Sequence, residues 1–222
     1  MIPLKDENPS RSFPLITLGL ILVNIGVYIY QLLQPEILLS QFIQTFGMTP
    51  AALLLQMPEQ PSSFPRVLTL VTSQFLHGGM LHLAGNMLYL WIFGNNIEDV
   101  LGKMRFLLFY LFCGALAALA HLVLHPFSEI PMIGASGAIA GVLGAYLITF
   151  PGARVLMLVF FLVVRIRAFW VLGFWFLMQL FYAGSVEGQG GTNVAYIAHV
   201  GGFIAGIWLI KKLRPGARVR RY

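Results

Sequence analysis

A serine and a histidine lie in two apolar segments of the chain, where polar side chains are rare. Ser136, in Gly134-Ala135-Ser136-Gly137, opens one segment, and His199, in Ala198-His199-Val200-Gly201-Gly202, lies inside another. A polar side chain buried in lipid is costly and usually marks a functional site or a tight helix contact. A serine next to a histidine is a nucleophile paired with a base. The two residues therefore indicate nucleophilic catalysis, provided that their segments pack together.

Each of these residues lies close to a face of small residues. One segment carries Gly137-x-x-x-Gly141 and the other carries Gly202-x-x-x-Gly206. Small residues four positions apart allow helix backbones to approach closely in lipid. If the two faces meet, Ser136 and His199 lie within hydrogen-bonding distance. Two simpler readings stay open: the glycines could serve helix packing alone, and Ser136, in the first turn of its helix, could act only as an N-cap.

A further apolar segment adds His82 and Asn86, which are four residues apart and so share one helix face. An imidazole and an amide that point into one cavity can donate hydrogen bonds to a negatively charged oxygen. The pair could equally be a polar clamp between helices. His77, five residues earlier, is predicted to lie on another face in a structural role.

The composition is that of a membrane protein. The 222 residues are 58% hydrophobic and 10% charged, with a mean hydropathy of +0.81. A soluble domain of this size would need a far more charged surface. Residues 1–222 are predicted to form one domain, because no linker or low-complexity stretch divides them.

Six apolar segments approach the roughly 20 residues that a helix needs to cross a bilayer. They predict an all-α, polytopic bundle of six transmembrane helices. Another apolar segment, residues 155–164, is too short to cross as a helix and is predicted to be an interfacial or re-entrant connection. The predicted spans are approximately residues 15–33, 71–93, 106–124, 133–150, 168–183 and 194–210.

The basic residues predict the orientation of these spans. Of the fourteen, all but Arg66 fall on the side of the two chain ends. Cytoplasmic flanks carry this excess, so both termini are predicted to be cytoplasmic. The basic residues of the C-terminal tail follow an apolar segment directly, which favours contact with lipid headgroups over binding to nucleic acid.

Other chemistries fit the sequence less well. There is no His-Glu-x-x-His sequence, no cysteine cluster and no acidic residue inside a predicted span, so neither a metal site nor any other cofactor is predicted. Buried acids and internal repeats are typical of transporters, and this sequence shows neither. A small-solute transporter is therefore the weakest of the functions considered.

The motifs together resemble the rhomboid family of intramembrane serine proteases. The resemblance rests on His77-Gly78-Gly79-Met80-Leu81-His82-Leu83-Ala84-Gly85-Asn86, then Gly134-Ala135-Ser136-Gly137, then Ala198-His199-Val200-Gly201-Gly202-x-x-x-Gly206. Their order, spacing and host spans all agree with the family, and the six-span core covers essentially the whole chain.

The resemblance implies a serine endopeptidase of a prokaryotic plasma membrane that cuts peptide bonds within or beside the transmembrane helices of other proteins. Ser136 would be the nucleophile and His199 the general base. His82 and Asn86, with the backbone N–H of Ser136, would form the oxyanion hole. The fifth span and the glycine-rich residues 184–193 would form a gate and a mobile cap. The alternative within the family is an inactive relative that binds transmembrane clients, although such proteins typically lack the serine or the histidine. No oligomeric state is predicted.

Two positions depart from the family pattern. Many members carry Trp-Arg at the end of the first outward loop, where this chain has Pro65-Arg66, with Phe64 nearby. Some members stack a tyrosine, four residues after the serine, on the histidine, and here that residue is Ala140. The imidazole must therefore be held by other neighbours.

Overall fold

The computed structural model describes residues 2–55, 64–185 and 195–214. Most of these residues are helical, and a small antiparallel sheet lies at one end of the bundle. The helices are α1 (Leu15–Leu32), α2 (Glu36–Phe46), α3 (Pro50–Leu55), α4 (Thr69–Thr72), α5 (Met80–Tyr89), α6 (Asn95–Leu101), α7 (Lys103–Leu124), α8 (Ser136–Thr149), α9 (Ala168–Ser185) and α10 (Tyr196–Leu213), and the strands are β1 (Ile2–Asp6), β2 (Arg154–Val159) and β3 (Leu162–Arg167).

Four helices, α1, α7, α9 and α10, are long and apolar enough to cross a membrane. The protein is therefore a multi-pass helical membrane protein, as its composition predicts. Helix α8 has only 14 residues, which at 1.5 Å per residue is clearly shorter than a bilayer core of about 30 Å. A helix this short begins or ends below the membrane surface.

The second predicted span is not the continuous helix that residues 71–93 suggested. Short helical pieces at residues 66–75 end at Leu76, whose backbone is extended, and α5 begins only at Met80. Gly78 and Gly79 lie in the break, and glycine weakens a helix. The helical run then continues beyond the predicted end, through a π-helical turn at Leu90–Gly94 and α6, to Gly102 at φ 78°.

Residues 155–164 form a β-hairpin, not a re-entrant connection. Strands β2 and β3 pair antiparallel, from Arg154 opposite Arg167 to Val159 opposite Leu162. Strand β1, which the sequence did not predict, completes the sheet by pairing with β2. Valine is a good strand former, and one face of β2 is buried at Val155 and Met157, so the hairpin is anchored on the bundle.

Buried polar contacts attach the sheet end to the helices. The carboxylate of Asp6 in β1 accepts hydrogen bonds from the amide of Asn96 (2.7 Å) and the hydroxyl of Tyr146 (2.8 Å). Nearby, the buried carboxylate of Glu98 accepts bonds from the backbone N–H groups of Ile16 and Thr17 at 3.0 and 2.8 Å. It satisfies unpaired donors of the first turn of α1, where negative charge is favourable.

Helix α8 occupies the centre of the bundle, with eleven of its fourteen residues buried. It packs against α10 with almost no space between the backbones. A β-carbon at Gly206 would lie 1.9 Å from the carbonyl oxygen of Gly141, and one at Gly202 would lie 2.1 Å from that of Gly137. Only glycine permits this contact, so the two small-residue faces do meet, and they hold the segments of Ser136 and His199 together.

The long connection after α1 contains the short helices α2 and α3. Its contacts show how the loop is held although Pro65 replaces the usual tryptophan. Arg66 donates a hydrogen bond from Nη1 to the carbonyl oxygen of Gln44 (3.3 Å). The ring of Phe64 packs edge-on against Phe46, with centroids 4.9 Å apart, so Phe64 supplies the aromatic contact.

Candidate active site

Ser136 and His199 form a hydrogen bond at the end of the contact between α8 and α10. The distance from His199 Nε2 to Ser136 Oγ is 2.8 Å. Both side chains are half-buried, so the pair lies inside the bundle edge but is still accessible. A serine hydroxyl that donates to an imidazole nitrogen is the ground-state arrangement for nucleophilic attack assisted by a general base.

The position of Ser136 within its helix differs from that of a capping residue. Ala135 occupies the N-cap position, and Ser136 is the first residue of α8. Its hydroxyl is bonded to His199 across the helix interface. The backbone N–H of Ser136 belongs to the first turn, where N–H groups have no intrahelical acceptor and the helix dipole is positive. The turn therefore offers donors to an anion beside the hydroxyl.

The second nitrogen of the imidazole has a partner on α9. His199 Nδ1 lies 2.8 Å from the side-chain oxygen of Gln179, a buried residue. The indole of Trp175, one turn earlier on α9, lies with its centroid 6.0 Å from that of the imidazole, and the ring of Tyr196 meets the imidazole edge-on at 6.2 Å. Because Ala140 stands where some family members stack a tyrosine on the histidine, other residues must hold the imidazole, and these three are its neighbours in the structure.

Of the two predicted oxyanion-hole residues, His82 lies beside the serine and Asn86 is held by a neighbouring histidine. A β-carbon at Gly134, which has φ 127°, would lie 2.8 Å from His82 Cε1 and 3.7 Å from Ser136 Oγ, so the His82 ring lies beside the serine across this glycine. The amide nitrogen of Asn86 donates to His77 Nε2 at 3.0 Å. That nitrogen carries two hydrogens, and the bond to His77 uses one of them.

His77 has a larger structural role than the sequence suggested. It precedes α5 and is therefore not on another face of the same helix. The side chain is buried, and its ring packs edge-on against His82 with centroids 5.2 Å apart. Gln31 of α1 holds its backbone through the N–H (3.0 Å) and the carbonyl (3.1 Å). His77 thus braces both His82 and Asn86.

Gln179 is the site residue that sequence reasoning missed. One signal could have pointed to it: within residues 168–185 it is the only side-chain amide in an otherwise apolar helix. A polar side chain in such a segment usually faces the bundle interior and pairs there. No motif connects Gln179 to His199, however, because the two lie on different helices.

Within the part of the chain that the structure describes, no cluster of three or more His, Cys, Asp or Glu side chains could hold a metal ion. The site offers a serine, an imidazole and hydrogen-bond donors.

The cap expected at residues 184–193 falls mainly on residues 186–193, which lie outside the described residues, as do residues 215–222 of the basic tail.

Comparison with known proteins identifies the family of this chain. The model of the rhomboid domain family matches residues 65–215. This match covers both site segments and the helices from α4 to α10.

Several characterised proteins share parts of this sequence. Rhomboid protein 1, mitochondrial, of Saccharomyces cerevisiae is 32% identical over 161 residues, which cover 69% of this chain and 45% of that protein. Presenilin-associated rhomboid-like protein A, mitochondrial, of Danio rerio is 34% identical over 152 residues, 68% of this chain and 38% of that protein. Rhomboid protease GluP of Bacillus subtilis is 47% identical over 78 residues, 35% of this chain and 15% of that protein. The chain spans less than half the length of each of these relatives.

Proposed function

Because this chain belongs to the rhomboid family, we propose that it is an intramembrane serine endopeptidase with Ser136 as nucleophile and His199 as general base. The hydrogen bond of 2.8 Å between His199 Nε2 and Ser136 Oγ is the observation that carries this proposal. The substrates are membrane proteins, cut within or next to a transmembrane helix. The enzyme needs no cofactor for this reaction.

The reaction begins when Ser136 Oγ attacks the scissile carbonyl carbon while His199 Nε2 takes the hydroxyl proton. The carbonyl oxygen becomes negatively charged. The N–H of Ser136, His82, which lies beside Ser136 across Gly134, and the amide of Asn86, held by His77, act as its donors. Donors positioned for a developing oxyanion are usually the largest contribution to such catalysis.

The tetrahedral intermediate collapses when the C–N bond breaks and the imidazolium returns its proton to the leaving amine. This leaves an acyl ester on Ser136. A water molecule then attacks the ester carbonyl as His199 takes its proton, and the second collapse returns that proton to Ser136 Oγ. The shortness of α8 supports a position of Ser136 below the membrane surface, and we expect water to reach the acyl ester from that surface.

The proposed location is a prokaryotic plasma membrane, with both termini on the cytoplasmic side. The basic residues support this orientation. Lys5, Arg154, Arg165 and Arg167 all lie in or next to the sheet, opposite the end of α8 that carries Ser136. Lipid headgroups are the natural partners of this basic end.

Cleavage of a single-span substrate in liposomes tests the proposal. Ser136→Ala and His199→Ala should each lower the rate by more than about 10⁴-fold, and Ser136→Ala should also abolish labelling by a fluorophosphonate probe. Ser40→Ala, a surface serine on α2, and His125→Ala, just after α7, are the matched controls and should keep activity. An inert and unlabelled wild type, or cleavage that survives Ser136→Ala, would contradict the proposal. Client capture without cleavage would indicate an inactive family member.

A further inference from the structure

Gln179 joins the candidate dyad to α9, a helix that carries neither of its members. The Gln179 side chain is buried on α9, and its oxygen lies 2.8 Å from His199 Nδ1. On the opposite side of the ring, Nε2 lies 2.8 Å from Ser136 Oγ. Serine, imidazole and amide therefore form one continuous chain of hydrogen bonds across α8, α10 and α9.

The chemistry of an amide oxygen fixes the direction of this chain. An amide oxygen can only accept a hydrogen bond, so His199 Nδ1 must carry the hydrogen. In a neutral imidazole the other nitrogen, Nε2, then has a free lone pair. This lone pair faces the hydroxyl of Ser136 and is the one that must take its proton. The opposite tautomer would present N–H to the serine and could not act as a base.

We propose that Gln179 is a positioning residue that selects the catalytic tautomer and orientation of His199, so that α9 supplies a neutral third member to the Ser136–His199 dyad. This inference rests on the proposed function. Trp175 lies one turn before Gln179 on α9 and packs near the imidazole, so one face of α9 limits the movement of the ring. An imidazole that can neither flip nor change tautomer is poised before substrate arrives.

Two substitutions separate positioning from mere packing. Gln179→Met keeps the length of the side chain but removes the acceptor, so kcat should fall by about 10- to 100-fold with little change in KM. Unlike Gln179→Met, Gln179→Glu keeps an oxygen acceptor at this position, and it adds a negative charge that favours the protonated imidazole. It should keep activity, and the acid limb of its pH–kcat/KM profile should move to higher pH. The control Leu180→Met, at the neighbouring and exposed position of α9, should change neither quantity.

Nitrogen NMR of the wild type in detergent tests the tautomer without any change at Gln179. With ¹⁵N-labelled histidine and the His199→Ala spectrum for assignment, His199 in its neutral form should show a protonated Nδ1 and an unprotonated Nε2. A neutral imidazole with its hydrogen on Nε2 would overturn the proposal.

The kinetic outcomes also distinguish failure of the proposed role of Gln179 from failure of the proposed endopeptidase function. A wild type that cleaves and a Ser136→Ala variant that does not, together with a folded Gln179→Met variant of unchanged kcat and pH profile, would overturn the role of Gln179 alone. A wild type without any serine-dependent cleavage would instead overturn the proposed function.

Discussion

Helices α8 and α9 differ sharply in how the bundle holds them. Eleven of the fourteen residues of α8 are buried, whereas three of the eighteen residues of α9 are buried, namely Ala168, Leu172 and Gln179. A β-carbon at Gly144 in α8 would collide with the backbone of Phe203 at 2.2 Å, but one at Gly173 in α9 would meet nothing within 4 Å.

The difference in packing between α8 and α9 assigns two structural roles to different helices. Ser136 and His199 lie on two helices whose separation is fixed by backbone contact, so the distance between the two helix backbones does not depend on flexible side chains. The contact to Nδ1 comes from a helix with only three buried residues. A loosely packed helix can shift with little loss of buried area, so the separation of α8 from α10 and the orientation of the imidazole are controlled by different parts of the molecule.

The strongest test of this comparison is Gly206→Ala. The added methyl group would lie 1.9 Å from a backbone oxygen and 2.5 Å from a backbone carbon of Gly141, so the helices themselves must separate. Overpacking typically costs about 1–3 kcal/mol and occasionally more. We expect the free energy of unfolding in detergent to fall by about 3 kcal/mol and cleavage to be lost. Wild-type stability in this variant would mean that α8 and α10 are not in backbone contact.

A smaller effect is expected for Gly134→Ala, which alters the site and not the helix interface. The new β-carbon would lie 2.8 Å from His82 Cε1, and the φ of 127° disfavours alanine. Strain of this kind is worth about 1–3 kcal/mol, and the exposed His82 ring can turn away. Activity should therefore fall by about 10²- to 10³-fold in a protein that still folds, as measured by cleavage kinetics beside thermal unfolding. Normal cleavage would contradict the placement of His82 beside the nucleophile.

The smallest effect is expected for Gly173→Ala, the same substitution as at Gly206 but on α9. The space around this position is open, and alanine is a better helix former than glycine by up to about 1 kcal/mol. The thermal unfolding midpoint should remain the same or rise slightly, with cleavage retained. Destabilisation comparable to that of Gly206→Ala would show that α9 is packed as tightly as α8.

The sequence predicted the centre of the site better than its surroundings. The proximity of Ser136 and His199 was predicted from two glycine faces. Each face consists of residues four positions apart on one helix, so a short stretch of sequence is enough to identify it. The break before α5 was missed because hydropathy is averaged over a window, and residues 71–93 remain apolar across Gly78 and Gly79.

The other omissions involve partners far apart in the chain. Strand β1 pairs with β2 although residues 7–153 separate the two strands in the sequence, and the contact of Gln179 with His199 joins two helices. The residue pattern around β1 does not indicate β2 as its partner, and the pattern around Gln179 does not indicate His199. The valines of residues 155–164 indicated an apolar segment of the right length for strands, but only the pairing geometry shows that they form a hairpin.

The pairing of β1 with the hairpin also constrains when the protein can finish folding during its synthesis. Glu7, next to β1, forms an ion pair with Arg165 of β3, 158 positions later. At about 5–20 residues per second, the ribosome needs on the order of 10 s to make the chain between them. Throughout that time β1 waits without a partner, while α1, α7 and α8 are translated. The sheet can therefore close only after α8, the helix that carries Ser136, has been made, so the sheet forms late in assembly.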